Sequence, residues 1–192
     1  MSAARQHYET LLHKIDDLSQ RQLNEYGTEI TCKVGCFDCC RPPDSLFRVE
    51  VEPLQEAIRA LSPQQKQEVE ERLQAYEASE RELCPLLENG SCSIYEGRPV
   101  ICRTQGFALW LRQESQESGE SEDVPAEGLM NWCSYNFQQK QPTKEDAFDV
   151  QRLNVMLSLM TSLHWPPAEA RKDLVAVIRE ALNPENLTES SS

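Results

Sequence analysis

Cys32-Lys33-Val34-Gly35-Cys36-Phe37-Asp38-Cys39-Cys40-Arg41-Pro42-Pro43 places four cysteines within nine residues and shows no apolar periodicity. Nothing in this stretch could hold a conformation by core burial, and Gly35 and the Pro42-Pro43 pair interrupt any regular element. It reads as a loop or knuckle whose shape comes from what its thiols bind. Three and then two residues separate the first three cysteines, a spacing that lets a looping backbone aim several thiolates at one centre. Cys39-Cys40 is the informative detail, because neighbouring side chains on an extended backbone point to opposite faces. That pair implies either two centres close together or one ligand beside a buried or redox-active thiol.

Outward from this loop the chain reads as helix. Over residues 4–26, Tyr8, Leu11, Leu12, Ile15 and Leu18 recur at helical spacing, with Gly27 as the stop. Downstream, Phe47 to Val51 reads as briefly extended before Pro53 opens a helix through Leu54, Ile58 and Leu61. Ser62-Pro63-Gln64-Gln65 is an S-x-x-Q capping box that starts a charged helix over about 63–82, with Val69, Leu73 and Tyr76 as its seam. The Asn89-Gly90 pair between short apolar pieces signals a hairpin. Phe107–Leu111 and Leu129–Cys133 read as a second pair of strands. Thr143-Lys144-Glu145-Asp146 reads as the cap of a helix whose face holds Val150, Leu153, Leu157 and Met160, with Asn154 as a buried structural amide. After Pro166-Pro167 a last helix turns Leu174, Val175, Ile178 and Leu182 inward. The expected architecture is mainly α, a single helical domain over 1–192 with a small irregular β and loop region that carries the cysteines. Residues 113–127 read as a mobile acidic loop and 184–192 as a frayed tail.

A hydrophobic fraction of 39% over 192 residues is enough for a core, so the cysteines are not there to rescue a chain too small to fold. The 32 acidic against 19 basic residues give a net charge of −13, which speaks against binding nucleic acid or anionic membrane surfaces. No apolar run is long enough for a membrane span, and the first residues lack the apolar core of a signal peptide. The expected location is the cytoplasm. Structural disulfides are rare there, so eight cysteines point to metal binding or thiol chemistry.

Cys84, Cys92 and Cys102 form a second group, and Cys133 stands alone beside Trp132 and Tyr135, readable equally as a small buried hydrophobe. Eight thiols make two four-thiolate sites, or one cluster with spare thiols, and the spacing does not choose. A two-residue Asn89-Gly90 turn would pair Leu87 with Cys92 and Cys84 with Tyr95, leaving Cys84 and Cys92 on opposite faces unless the chain bends near Pro85. Pro99 suits the first turn of a short helix that would bring Cys102 near free N–H groups; with Arg98 and Arg103 these would offset thiolate charge.

Together, Cys32-x3-Cys36-x2-Cys39-Cys40, Cys84-Pro85-Leu86, Cys92-Ser93-Ile94-Tyr95 and Arg98-Pro99-Val100-Ile101-Cys102-Arg103 resemble the signature of the zinc- or iron-chelating cysteine-cluster family (YkgJ-like). The resemblance covers about residues 30–105 and implies chelation by the matching cysteines, without implying a reaction. The cluster motif also resembles one in flagellin lysine-N-methylases. The expected ligands are Cys32, Cys36, Cys39, Cys40, Cys84, Cys92, Cys102 and Cys133, with Arg98 and Arg103 beside them. An iron–sulfur cluster is preferred and zinc is second, since soft thiolates suit both. The expected role is a metal-binding protein, not an enzyme. The alternative is a thiol redox enzyme or sensor using Cys39-Cys40. His7, His13 and His164 fall on helices away from the cysteines.

Overall fold

The computed structural model describes residues 3–112 and 128–183. The fold is mainly α. It begins with α1 (Ala3–Tyr26), which buries Tyr8, Leu11 and Ile15 along one face as the periodicity predicts. After the cysteine loop come β1 (Ser45–Phe47), α2 (Arg48–Arg59) and α3 (Pro63–Glu77). Next are the hairpin strands β2 (Leu87–Glu88) and β3 (Ser91–Cys92), then the short α4 (Val100–Thr104). Strands β4 (Leu109–Arg112), β5 (Gly128–Asn131) and β6 (Phe148–Asp149) precede α5 (Val150–Ser162), β7 (Arg171–Asp173) and α6 (Leu174–Leu182).

Two apolar clusters organise the helices, and α2 lies between them. Val51, Leu54 and Ile58 of α2 pack with Val69 and Leu73 of α3 and Leu174, Val177 and Ile178 of α6. Val49 of the same helix joins Tyr8, Leu11, Ile15, Val100 and Leu157 in the second cluster. A smaller third cluster holds Tyr26, Ile30, Ala108 and Phe137, with Trp110 and Trp132 against it.

Several local expectations are corrected. Pro53 does not open a helix but sits inside α2, which starts at Arg48. Glu50 makes the earlier start possible: its buried carboxylate accepts from Phe47 N at 3.1 Å and so caps the helix from within. A proline this early removes only one intrahelical donor. Ser62 and Gln65 form the anticipated capping box, but α3 ends at Glu77, with Ser79 at φ +58. Thr143 caps only a 3-10 turn, Lys144–Asp146; Asp149 caps α5, its carboxylate accepting from Arg152 N at 2.9 Å. Asn154 is exposed, not buried. The parallel pairing of β6 with β4 and the antiparallel pairing of β1 with β7 had no local signal. Gln22, buried at 1% exposure, accepts from Ala108 N and donates to Asp146 O, tying α1 to the β4–β6 region. Among the described residues no helix is long and apolar enough to cross a membrane. The expectations for 113–127 and 184–192 fall outside the described residues.

Candidate metal centre

The first cysteine loop consists of two consecutive turns. Cys36 N donates to Lys33 O at 2.9 Å, and Cys40 N donates to Phe37 O at 2.8 Å. Gly35, at φ +92, lets the first turn close, and its N–H donates to Gly90 O at 3.0 Å in the hairpin turn. A Cβ on Gly90 would lie 2.8 Å from the Gly35 Cα, so the loop and the hairpin touch only because Gly90 lacks a side chain, whereas a Cβ on Gly35 would meet nothing and its glycine serves the backbone turn.

The eight thiols fall into two sets. Cys32, Cys36, Cys39 and Cys133 are electrostatic neighbours. Desolvation raises the Cys36 pKa first, followed by the charges of Cys32 and Cys133. Cys39 is raised by desolvation and then by Cys32, Cys40, Cys133 and Cys36. Cys32 and Cys39 belong to exposed residues, while Cys36 and Cys133 are half-buried. Cys39 and Cys133 also border a cavity of about 280 Å³ walled by Asp38, Gly106, Trp132 and Tyr135. Cys133, isolated in the sequence, thus closes a group with three cysteines roughly a hundred residues before it.

The second set is Cys40, Cys84, Cys92 and Cys102. A hydrogen bond with Cys84 pulls the Cys40 pKa down to about 7 against the cost of its burial, helped by the charges of Arg81 and Arg98. The same bond, with burial, holds the Cys84 thiol strongly protonated. Burial raises Cys92, and the charge of Cys40 adds to it. Cys102 is pushed up to about 12 by burial and then by Cys92 and Cys40. Cys84 sits in the larger apolar cluster with Cys40 and Cys92 packed against it. Cys39 and Cys40, neighbours in the chain, link the two sets.

The hairpin forms as the Asn89-Gly90 turn predicts, with φ of +48° and +79° and Leu87 opposite Cys92. One further bond follows, Ser93 N donating to Leu86 O at 2.8 Å, and the ladder stops there. Leu87 N donates to Cys84 O at 3.0 Å and Cys84 N to Cys40 O at 3.0 Å, so the chain bends at Cys84-Pro85 instead of pairing Cys84 with Tyr95. Cys84 thereby lies in the larger apolar cluster against which Cys92 also packs. Pro99 precedes α4 as its cap residue, and Cys102 N is bonded to Pro99 O rather than free. The free donor at the start of α4, Val100 N, is taken by Glu50 at 2.9 Å.

Arg98 stands beside the second set: its charge lowers Cys40, Cys92 and Cys102, and its guanidinium lies over the Tyr95 ring and donates to Tyr95 O. Arg103 instead bonds to Asp16 and to the Arg98 and Glu96 carbonyls. His7, His13 and His164 are exposed. Among the described residues no three Cys, His, Asp or Glu side chains are gathered tightly enough to enclose a metal ion as they stand, so each set is a neighbourhood of thiols, not a closed shell. The donor chemistry nonetheless fits a soft cation. Each set offers only sulfur, and the burial and thiol–thiol repulsion that raise Cys36, Cys39, Cys84, Cys92 and Cys102 are offset when a cation sits among them.

A residue that sequence reasoning missed completes the picture: Asn136, fully buried, donates from Nδ2 to Cys32 Sγ at 3.3 Å. Its only sequence cue is a place three residues after Cys133.

Compared with known families, residues 31–134 match the one described as "CxxCxxCC: Putative zinc- or iron-chelating domain". The match spans more than half of the 192 residues and ends just past Cys133. No curated protein and no solved structure matches the chain. The chain belongs to this zinc- or iron-chelating family.

Proposed function

We propose that this member of the family binds metal at two adjacent four-thiolate centres, one on Cys32, Cys36, Cys39 and Cys133 and one on Cys40, Cys84, Cys92 and Cys102. The observation that carries the reading is where the two adjacent cysteines stand: Cys40 packs with Cys84 and Cys92 at the larger apolar cluster, while Cys39 borders a cavity together with Cys133. A single tetrahedral ion would leave half of the eight thiols without a role, and chance burial does not sort them four and four. Iron–sulfur clusters are preferred over zinc. Both suit soft thiolates, and four cysteine thiolates are the usual ligand set of two-iron and four-iron clusters.

Elemental analysis and an absorption spectrum of anaerobically purified protein test this reading. Iron with acid-labile sulfide and a broad brown absorption is the expected result. Colourless protein with two zinc ions per chain would keep the two centres and replace the metal. A folded protein with one centre or none would overturn the partition.

One observation favours the thiol-redox alternative, with a changed partner. Cys40 has its pKa near 7 and is hydrogen-bonded to Cys84, whereas Cys39 belongs to the other set. A metal-free, folded protein that forms a Cys40–Cys84 disulfide would make a redox pair the better account.

A further inference from the structure

We infer that Asn136 is the positioning residue of the first centre, holding the Cys32 sulfur in place and supplying the amide donor that its thiolate needs. The inference rests on reading Cys32, Cys36, Cys39 and Cys133 as one ligand set.

The orientation of the Asn136 amide is fixed by its neighbours. Oδ1 accepts from Thr31 N at 2.8 Å and from Thr31 Oγ1 at 3.0 Å, while Nδ2 donates to Gly106 O at 2.7 Å. A backbone N–H only donates and a backbone carbonyl only accepts, so flipping the amide would oppose donor to donor and acceptor to acceptor. The second hydrogen on Nδ2 then faces Cys32 Sγ at 3.3 Å. A donor aimed at sulfur fixes the side chain's direction and places a partial positive charge beside a metal-bound sulfur.

Room for that sulfur comes from Gly106. Its backbone has φ +89, and a Cβ there would lie 2.8 Å from Cys32 Sγ and 3.6 Å from Asn136 Nδ2. The Asn136 main chain serves the same centre, since its N–H donates to Cys133 O at 2.9 Å and so shapes the turn that carries the fourth thiol. Phe137, next in the chain, is held at φ +55, an unfavourable conformation for an aromatic residue. Its N–H bonds to Glu29 O at 2.8 Å, and its ring packs against Tyr26 and Trp132. One amide thus fastens three distant segments: the start of the first cysteine loop, the chain leaving α4, and the Cys133 turn. The second set relies on Arg81 and Arg98 instead, so the two centres offset thiolate charge by different means.

The test uses the full chain loaded with cobalt(II), whose thiolate-to-metal absorption reports the number of bound sulfurs. Asn136→Asp keeps the acceptor for Thr31 but turns a carboxylate oxygen toward the thiolate and the Gly106 carbonyl. Gly106→Ala pushes on the same sulfur while leaving the amide in place. Both variants should weaken one of the two cobalt sites by about 10–100-fold in chelator competition and leave the other at its wild-type affinity. Both should also lose the same part of the charge-transfer band that Cys133→Ser loses, and Cys92→Ser should lose the complementary part. If Asn136→Asp retains both sites and the full band while Cys133→Ser loses half, Asn136 has no positioning role. If Cys133→Ser and Cys92→Ser fail to remove separate halves, the two-centre reading falls first. Should Asn136→Asp lose helical circular dichroism, Gly106→Ala decides alone, and an unchanged spectrum there overturns the proposal.

Discussion

The two thiol sets share an adjacent pair of residues but live in different physical surroundings. Cys40, Cys84 and Cys92 are part of the wall of the largest apolar cluster, beside Leu54, Ile58 and Leu86. Cys32 and Cys39 are exposed, no residue of their loop before Cys40 is buried, and a cavity opens beside Cys39 and Cys133. A metal in the inner set would be continuous with the core that joins α2, α3 and α6. A metal in the outer set would organise loops that burial does not hold. Folding stability should therefore depend mainly on the inner centre, and accessibility to chelators or small molecules on the outer one.

The largest expected effect breaks the inner set. Cys84→Ser removes a thiol that is only 9% exposed and leaves a hydroxyl among apolar side chains, while Cys40 loses its hydrogen-bond partner. A buried polar group without full compensation costs about 1–3 kcal/mol, which for a chain of this size lowers Tm by roughly 2–12 °C, on top of the lost metal. The check is a thermal melt with metal-to-protein ratio, anaerobically. A wild-type melt would mean that the inner thiols are packing cysteines, and the comparison would collapse.

Breaking the outer set should cost less. Cys133→Ser is expected to lose half of the bound metal with a Tm decrease smaller than that of Cys84→Ser, because the affected loops carry little of the core. This differs from what the sequence alone suggests. There Cys133 stands apart and its removal looks harmless; the structure places its thiol beside Cys36 and Cys39. Metal content that stays whole in Cys133→Ser would return it to the role of a buried hydrophobe.

The arginines sharpen the contrast further. Arg98→Gln should weaken the inner centre about 10–100-fold in chelator competition and leave the outer centre unchanged, since the Arg98 charge acts on Cys40, Cys92 and Cys102. Arg103→Gln should change neither, because its guanidinium bonds to Asp16 and to backbone carbonyls. Equal effects of the two substitutions would show that they act through loop structure and not through charge at the thiols.

What was legible in the sequence follows the range of the interactions involved. The α1 seam, the Ser62–Gln65 capping box and the Asn89-Gly90 hairpin depend on residues within a turn of one another, and each formed where its pattern lies. Pro53 and Thr143 misled because proline-first and threonine-cap preferences are local priors; the buried Glu50 carboxylate and Asp149 decided the helix starts instead. Asn154 was placed on an apolar face that the helix does not bury. The clustering of four cysteines in nine residues marked the candidate site. Its partition was hidden, since it depends on the bend at Cys84-Pro85 and on bringing Cys133 and Asn136 back to Thr31 and Cys32 across more than a hundred residues.

The smallest expected effect tests where the outer centre ends. Residues 113–127 carry six acidic residues and no basic one, and they lead from β4 into β5, just before Asn131, Trp132 and Cys133. The two ends of the segment are already adjacent: Arg112 pairs with Gly128, Trp110 with Met130 and Leu109 with Asn131. A two-residue Asn-Gly turn in place of 113–127 could join these strands without altering the register that presents Cys133. Replacing 15 residues by two shortens the loop by about three halvings, worth up to about 2 kcal/mol in closure entropy, so the melt should stay level or rise by a few degrees. Metal content and the competition curves of both centres should match wild type. Loss of metal confined to the outer centre would make the acidic segment part of that site. Loss from both would mean that the segment supports the fold, and that the boundary between the outer and inner sets is less sharp than their surroundings indicate.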